Sequence, residues 1–471
     1  MGGDVSSPFR QSWIQTFSHP IKSAKNISRM FEAMSEKGYE NISKEIRGNA
    51  YFKDAVDAKL SLTKGLITGL PEEQFEGTKV LEDIMKATHT SALNIFSPTE
   101  RAYTQYLNQT RMESFQRGME LLEGKYGRRG IPEESKRALA KYVNSSTGRG
   151  EFNSQKFEAA ATVLNQVLFS PRLLKSRLDV FNPLEWRKMM KTEPVVAKMA
   201  MTEIAKSAAF VGSMVAAASA AGAKVEKDPR SPDFGKIRVG SHTIDPWGGY
   251  QQYLRYGAQF ITGKRKNQYG QVKEANRGDT LEQFGRSKLA PVPGFLLSAA
   301  KGKNLIGRRT SLTNPMSYVE SFAPMTFRDI YEVGKTDPVL AAAMALPISL
   351  GMGVVSREPL PASKEVRKEF ERLLVPPPSD AQSIQLKDKG KTLDPLTGKA
   401  KWETRQLTDK EFEKAKEEGD KMAFSEIEKF ISSPSYQKLS DPEKRIALNN
   451  VSRKLGGAKR KKAFEMTRPP K

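Results

Sequence analysis

The chain of 471 residues contains no cysteine, which excludes disulfides, thiol catalysis and thiolate metal sites. Such a chain suits a reducing cytoplasm, and equally a protein that works in several compartments. Histidine is nearly as scarce. His19, His89 and His242 stand far apart with no HExxH pair, so the sequence offers no zinc site. No GxSxG nucleophile elbow occurs, and a hydrolase of that type has no support. The opening residues "MGGDVSSPFRQSWIQTF" lack the basic start and continuous apolar core of a secretory signal, so synthesis in the cytoplasm is expected. Hydrophobic residues make up 38%, below the usual ~45–50%, and some of the chain is expected to be extended or lightly packed.

Long apolar stretches are also few. Two runs carry no charge: "SAAFVGSMVAAASAAGA" between Lys206 and Lys224, and "PVLAAAMALPISLGMGVVS" between Asp337 and Arg357. Each lies near the lower limit of ~17–25 residues for a membrane span. Both consist largely of Ala, Gly and Ser, which contribute little transfer free energy, and Pro347 interrupts the second. A buried helix with close helix–helix contacts is the favoured reading, and membrane insertion is the competing one.

What remains is mostly helical in pattern, and the expected fold is mainly α: a multi-helix assembly with one small β-hairpin near residues 235–246. Three regions are expected, an N-terminal helical region (1–194), an apolar helical region holding the hairpin (195–360) and a charged helical extension (361–471). In "SPTERAYTQYLNQTRMESFQ", Ser97 suits an N-cap, Pro98 the first helical position and Glu100 a capping box. Tyr103, Leu107, Phe115, Met119 and Leu122 then fall near one face. A further helix is expected from about Pro132, "KFEAAATVLNQVLF" reads as another, and Pro171 and Pro183 punctuate the next two. Thr408 with Glu411, and Ser440 with Glu443, form two more capping boxes. "KDKGKTLDPLTGKAKWETRQ" reads as a polar connector, and the last residues, "KLGGAKRKKAFEMTRPPK", as a frayed basic tail.

The hairpin lies in "DPRSPDFGKIRVGSHTIDPWGGY". Its strands alternate around Gly240-Ser241, a two-residue turn of the type II′ kind, and Ile237, Val239, Ile244 and Trp247 are expected to anchor it on the helices. Asp228, Asp233, His242 and Asp245 cluster there. Such oxygen-rich groups can hold a divalent cation, but carboxylates beside Pro and turns ordinarily bond to neighbouring amides. The turn reading is preferred, and no metal or cofactor is expected.

Charge is the strongest signal. The formal net charge is +23, which points to an anionic partner: nucleic acid, an anionic membrane or an acidic protein. "GAQFITGKRK" superficially resembles a phosphate-binding loop, yet Arg265 stands where Ser or Thr would ligate magnesium, and the segment continues a helix. It reads instead as a helix end capped by Gly263. Three basic clusters are candidate anion or nucleic-acid contacts: Lys264, Arg265 and Lys266; Arg308 and Arg309; and Lys459, Arg460, Lys461 and Lys462. Clusters of this kind neutralise phosphates without reading bases.

Several motifs occur in order from Thr99 to Phe295, over roughly two fifths of the chain: "TERAYTQYLNQTR", "YVNSSTGRG", "FSPRLLKSRLDVFNP", "DPRSPDFGKIRVGSHTIDPWGGYQQYLRYGAQFITG" and "FGRSKLAPVPGF". Together they resemble a mostly helical module of the large polyvalent proteins of bacteriophages and conjugative elements. In that family the module is usually appended to enzymatic domains and is packaged and delivered with DNA. The resemblance implies a phage structural or internal virion protein, reaching the host cell after delivery, with phage DNA and other virion proteins as partners. It carries over no catalytic residue, and no enzyme activity is expected. Two alternatives stay open: a membrane-active ejection protein meeting anionic lipid, and an accessory subunit of a split polyvalent enzyme.

Overall fold

A computed structural model describes residues 5–62, 96–151, 168, 170–267, 270–289, 291–300, 310, 325–356, 361–380, 383–386 and 403–467. The fold is mainly α with short antiparallel strands. The elements used below are α1 (Trp13–Ser18), α2 (Phe96–Tyr126), α3 (Glu133–Ser146), α4 (Pro171–Phe181) and α5 (Pro194–Ala220). Proline opens α4 and α5, and also the Pro183–Thr192 helix, where its missing N–H costs nothing. Asn182 caps the last of these by accepting from Leu184 N.

The 31-residue α2 is the centre of the N-terminal part. Leu107, Phe115, Met119 and Leu122 are buried on it, as the spacing requires, whereas Tyr103 is half-buried. The helix is already under way at Phe96, so Ser97 lies within its first turn and not ahead of it as an N-cap. A second face of α2 is buried and polar, carrying Gln105, Asn108, Arg111 and Ser114, because helices cover it on several sides. At Gly118 any Cβ would overlap the Leu139 side chain, so glycine sets how closely α2 and α3 approach. The "KFEAAATVLNQVLF" expectation lies outside the described residues, apart from a lone bridge at Leu168.

Helix α5 serves two cores. Val196, Met199 and Ala200 pack with Met112, Phe115 and Leu139, while Val211 packs with Trp13, Phe17 and Tyr250. Its first apolar run was expected to be buried, but Ala208, Ala209, Ala216 and Ala217 are exposed. Alanine loses little by exposure and favours helix, so one covered face is enough. Among the described residues no helix is long and apolar enough to cross a membrane.

Strands β1 (Lys224–Val225), β2 (Ile237–Val239) and β3 (His242–Asp245) follow, with the β2–β3 turn at Gly240, φ +55°. Helix α6 (Gln251–Thr262) comes next and ends at Gly263, whose left-handed φ of 62° is the expected cap. Then come β4 (Lys264–Lys266), β5 (Val272–Glu274), α7 (Arg277–Arg286), α8 (Met325–Thr336) and α9 (Pro338–Ser349). The second charge-free run is not one helix. It turns at Gly351, φ +108°, into β6 (Gly353–Ser356), which pairs antiparallel with β3. The hairpin is therefore the middle of a four-stranded sheet, ordered β1-β2-β3-β6. A hairpin marginal alone gains a third and fourth strand and a core of Ile237, Ile244, Val333, Ile348 and Val354.

Of the four expected anchors, Ile237 and Ile244 are buried, and Trp247 Nε1 donates to Gly235 O at 2.7 Å with its ring 6.0 Å from that of Trp13. Val239 is not an anchor. It sits beside the turn, opposite His242, and is 43% exposed because the strand has run past the helices that cover Ile237.

The C-terminal part builds its own core. Helices α10 (Lys364–Leu373), α11 (Asp409–Ile431) and α12 (Asp441–Met466) bury Val366, Phe370, Phe424, Ile427 and Leu448 together. Both expected capping boxes are present, Thr408–Glu411 and Ser440–Glu443. The end of the stretch expected as a plain connector forms a strand, β8 (Glu403–Gln406), which pairs with β7 (Ser383–Leu386) just before that stretch. The expected fraying of the tail is also corrected, since α12 stays helical to Met466. Residues 376–380 lie against it: Ser452 Oγ donates to Pro376 O at 2.6 Å, and a Cβ on Gly456 would come 2.9 Å from Ser379 Oγ.

Candidate nucleic-acid interface

The three basic clusters meet different fates. In the first, β4 pairs with β5 so that Arg265 stands opposite Lys273, both exposed and without an ion-pair partner among the described residues. Lys264 is exposed and 3.7 Å from Glu274, a weak surface contact. Lys266 turns inward to Glu226 at 2.7 Å and holds the strand pair to the loop between β1 and β2. Arg308 and Arg309, the second cluster, lie outside the described residues.

The third cluster is divided by the helix it sits on. Lys459 is 2% exposed, its ammonium between the carboxylates of Asp380 and Asp420, and it is no surface contact. It belongs to a buried stripe with Leu448, Ser452, Gly456 and Ala463, so a run of four cations is cut by the 3.6-residue period. Arg460 faces outward, with Nη1 3.2 Å from Ser379 Oγ. Lys461 is exposed, 3.9 Å from Glu465, and Lys462 reaches Glu418 at 3.5 Å.

The outward side of α12 carries cations that the sequence reading passed over. Arg445, Arg453 and Lys454 are exposed and have no ion-pair partner among the described residues. Arg453 and Arg460 fall within about 20° of each other around the helix axis, and Arg445, exposed near the start of the helix, lies about 60–80° from them. Their signal was available in the sequence at spacings of eight and seven residues, but it was masked by the louder four-residue run.

The carboxylates near the hairpin are engaged in local structure. Asp228 accepts from Arg230 Nε at 3.0 Å, from its Nη2 at 2.9 Å and from its backbone N at 2.9 Å, and the guanidinium holds its carboxyl down to about 2. Asp245 accepts from Trp247 N at 3.0 Å and lies 3.5 Å from Lys236. His242 Nδ1 is 3.0 Å from Ser356 Oγ, a bond across β3 and β6. Among the described residues no group of three or more acidic or histidine side chains is placed to hold a metal ion.

A dense polar network is buried where α1, α2, α3 and α5 meet. Glu203 accepts from Gln15 Nε2 at 2.8 Å, Tyr142 Oη at 2.5 Å and Arg117 Nη2 at 3.3 Å. Gln15 in turn accepts from Ser114 Oγ at 2.8 Å and donates to Ser146 Oγ at 2.9 Å. Burial, and then the Glu203 charge, pushes the Tyr142 phenol well above its ordinary range. Burial, and then Arg117, lowers His19 to about 4, so at neutral pH its 3.9 Å approach to Glu203 is not an ion pair. Each side-chain carboxylate and amide here is saturated by protein donors and acceptors. The arrangement fixes four helices in register, and no local motif signals it because its members lie up to 188 residues apart.

No family model, no curated protein and no solved structure matches this chain.

Proposed function

We propose that this chain is a phage-encoded virion protein that accompanies DNA by non-specific contact with its phosphate backbone. The observation that carries the reading is the set of unneutralised arginines on α12, Arg445, Arg453 and Arg460, on a chain with net charge +23. Arg265 and Lys273 on the β4–β5 pair add a second exposed basic element. Exposed guanidinium groups on a helix side suit phosphates at a groove edge and carry no means of reading bases. The phage context rests on the similarity of the ordered motifs between Thr99 and Phe295 to the polyvalent-protein module.

Fluorescence anisotropy with two unrelated 20-base-pair duplexes tests the binding. The expected result is equal affinity for both, falling steeply with salt, and a log–log salt slope reduced by roughly 2–3 in Arg445→Gln/Arg453→Gln/Arg460→Gln. Binding that ignores salt, or prefers one duplex more than tenfold, overturns the reading. Mass spectrometry of intact and DNA-emptied particles tests the location, with presence in the first and loss from the second expected.

A further inference from the structure

Three cations that belong to neither basic surface come together on α4, α6 and the turn after α7. Arg177 is 5% exposed. Its Nη2 donates to the Arg10 carbonyl at 2.8 Å, its guanidinium carbon lies 4.7 Å from the Tyr250 ring centroid, and its Nη1 is buried with no acceptor among the described residues. Arg255 lies 4.3 Å from the Tyr256 centroid, and its Nε is likewise buried without an acceptor. Lys288 Nζ donates to Gln252 Oε1 at 2.7 Å and stands 5.0 Å from the centroids of both Tyr253 and Phe284. None of the three has an ion-pair partner among the described residues.

The surroundings are built to hold this arrangement. Gln252 donates Nε2 to Gly249 O at 2.9 Å, which fixes its oxygen toward Lys288. Gly249 has φ +87°, and a Cβ there would come 2.7 Å from Arg177 Nη1, so only glycine admits the guanidinium. Tyr253 packs edge-on to Phe284 at 5.7 Å and stacks on Phe181 at 5.9 Å. Ring faces offset only part of the cost of burying cations, far less than a buried charge loses on leaving water. Burial first, then Arg177 and Arg255, lowers the Lys288 ammonium to about 7, and no carboxylate acts on it. Burial raises the Tyr253 phenol to about 12 and raises Tyr250, so both rings are neutral walls. Among the described residues the charged groups facing the amine are thus all positive, and the complement to this arrangement is an anion.

We propose that Arg177, Arg255 and Lys288 form a binding site for one phosphate-class oxyanion, the group shared by free phosphate and a nucleic-acid backbone. Two guanidinium groups offer planar N–H donors to its oxygens and the lysine adds a point charge. The site shares no residue with the α12 arginines and does not rest on the proposed function. Because protonated Lys288 is the binding form, affinity falls as pH rises through about 7.

The test uses the full chain, inorganic phosphate and a 12-nucleotide single strand, with chloride at matched ionic strength as control. Calorimetry is expected to give one phosphate per chain, and the strand, whose diester charge is constant from pH 6 to pH 8.5, is expected to bind tighter at pH 6. Lys288→Gln and Arg255→Gln are each expected to weaken it at least tenfold without lowering the unliganded Tm, since each removes a like charge. Arg177 is left intact because it also holds the Arg10 carbonyl. Saturable binding of free phosphate identifies a small-anion site. Binding of the strand alone, lost in Lys288→Gln but kept in the α12 triple variant, identifies the backbone as source. If phosphate and chloride act alike and neither variant changes binding of either probe, the proposal is overturned, whatever the duplex experiment gives.

Discussion

Lys459 offers a sharp test of the structural division of the basic run, because the substitution Lys459→Met removes the ammonium while keeping most of the stem. That stem packs on Gly419, where a Cβ would meet Lys459 Cγ at 3.1 Å. The side chains of Lys459, Asp420 and Asp380 are 2%, 12% and 30% exposed. Removing one partner of a fully buried pair costs about 3–5 kcal/mol; the partial exposure of Asp380 discounts its share, leaving about 2–4 kcal/mol. The loss is expected in urea unfolding of the C-terminal part and in faster amide exchange over residues 452–466. Lys459→Met/Asp420→Asn is expected to recover part of it, with a coupling energy of about 1–3 kcal/mol. DNA affinity is expected to stay within about twofold, whereas Arg460→Gln lowers the salt slope by about 0.9. If Lys459→Met leaves stability and exchange untouched but weakens DNA binding as Arg460→Gln does, the buried placement is wrong.

Other consequences follow from the sheet, the helix contact and the turn before β2. Ile244→Ala should destabilise by about 2–4 kcal/mol, while Val239→Thr at the exposed turn end should cost under about 0.5 kcal/mol in a thermal melt. Gly118→Ala should destabilise α2 against α3 by about 1–3 kcal/mol despite the better helix propensity of alanine, as read by chemical unfolding; a gain in stability would contradict the close approach. The folded-state pKa of Asp228 is depressed to about 2, so its contribution is present above the unfolded value near 3.8 and lost as pH falls through about 2. The stability difference between wild type and Asp228→Asn should therefore hold at pH 5 and shrink toward pH 2 in acid-titrated melts.

What the sequence disclosed was local. Capping boxes at Thr408 and Ser440, proline starts at Pro171 and Pro183, and the αL glycine at 263 each depend on a few consecutive residues. What it hid was distant. Pairing of His242 with Ser356 joins positions 114 apart, and the β-branched "GVVS" was absorbed into the apolar run before it. Lys459 is claimed by carboxylates 79 and 39 residues away, though its helical register with Ser452, Gly456 and Ala463 was a readable sign. The convergence of Arg177, Arg255 and Lys288 had no sequence signal, since no two of them share an element.

Helix α5, at 27 residues about 40 Å of continuous rod, makes two cores share one fate. A chain cut at its start would strip Met112, Phe115 and Leu139 of Val196, Met199 and Ala200, and strip Trp13 and Phe17 of Val211 at the same stroke. Removal of this one rod therefore leaves both cores open to water.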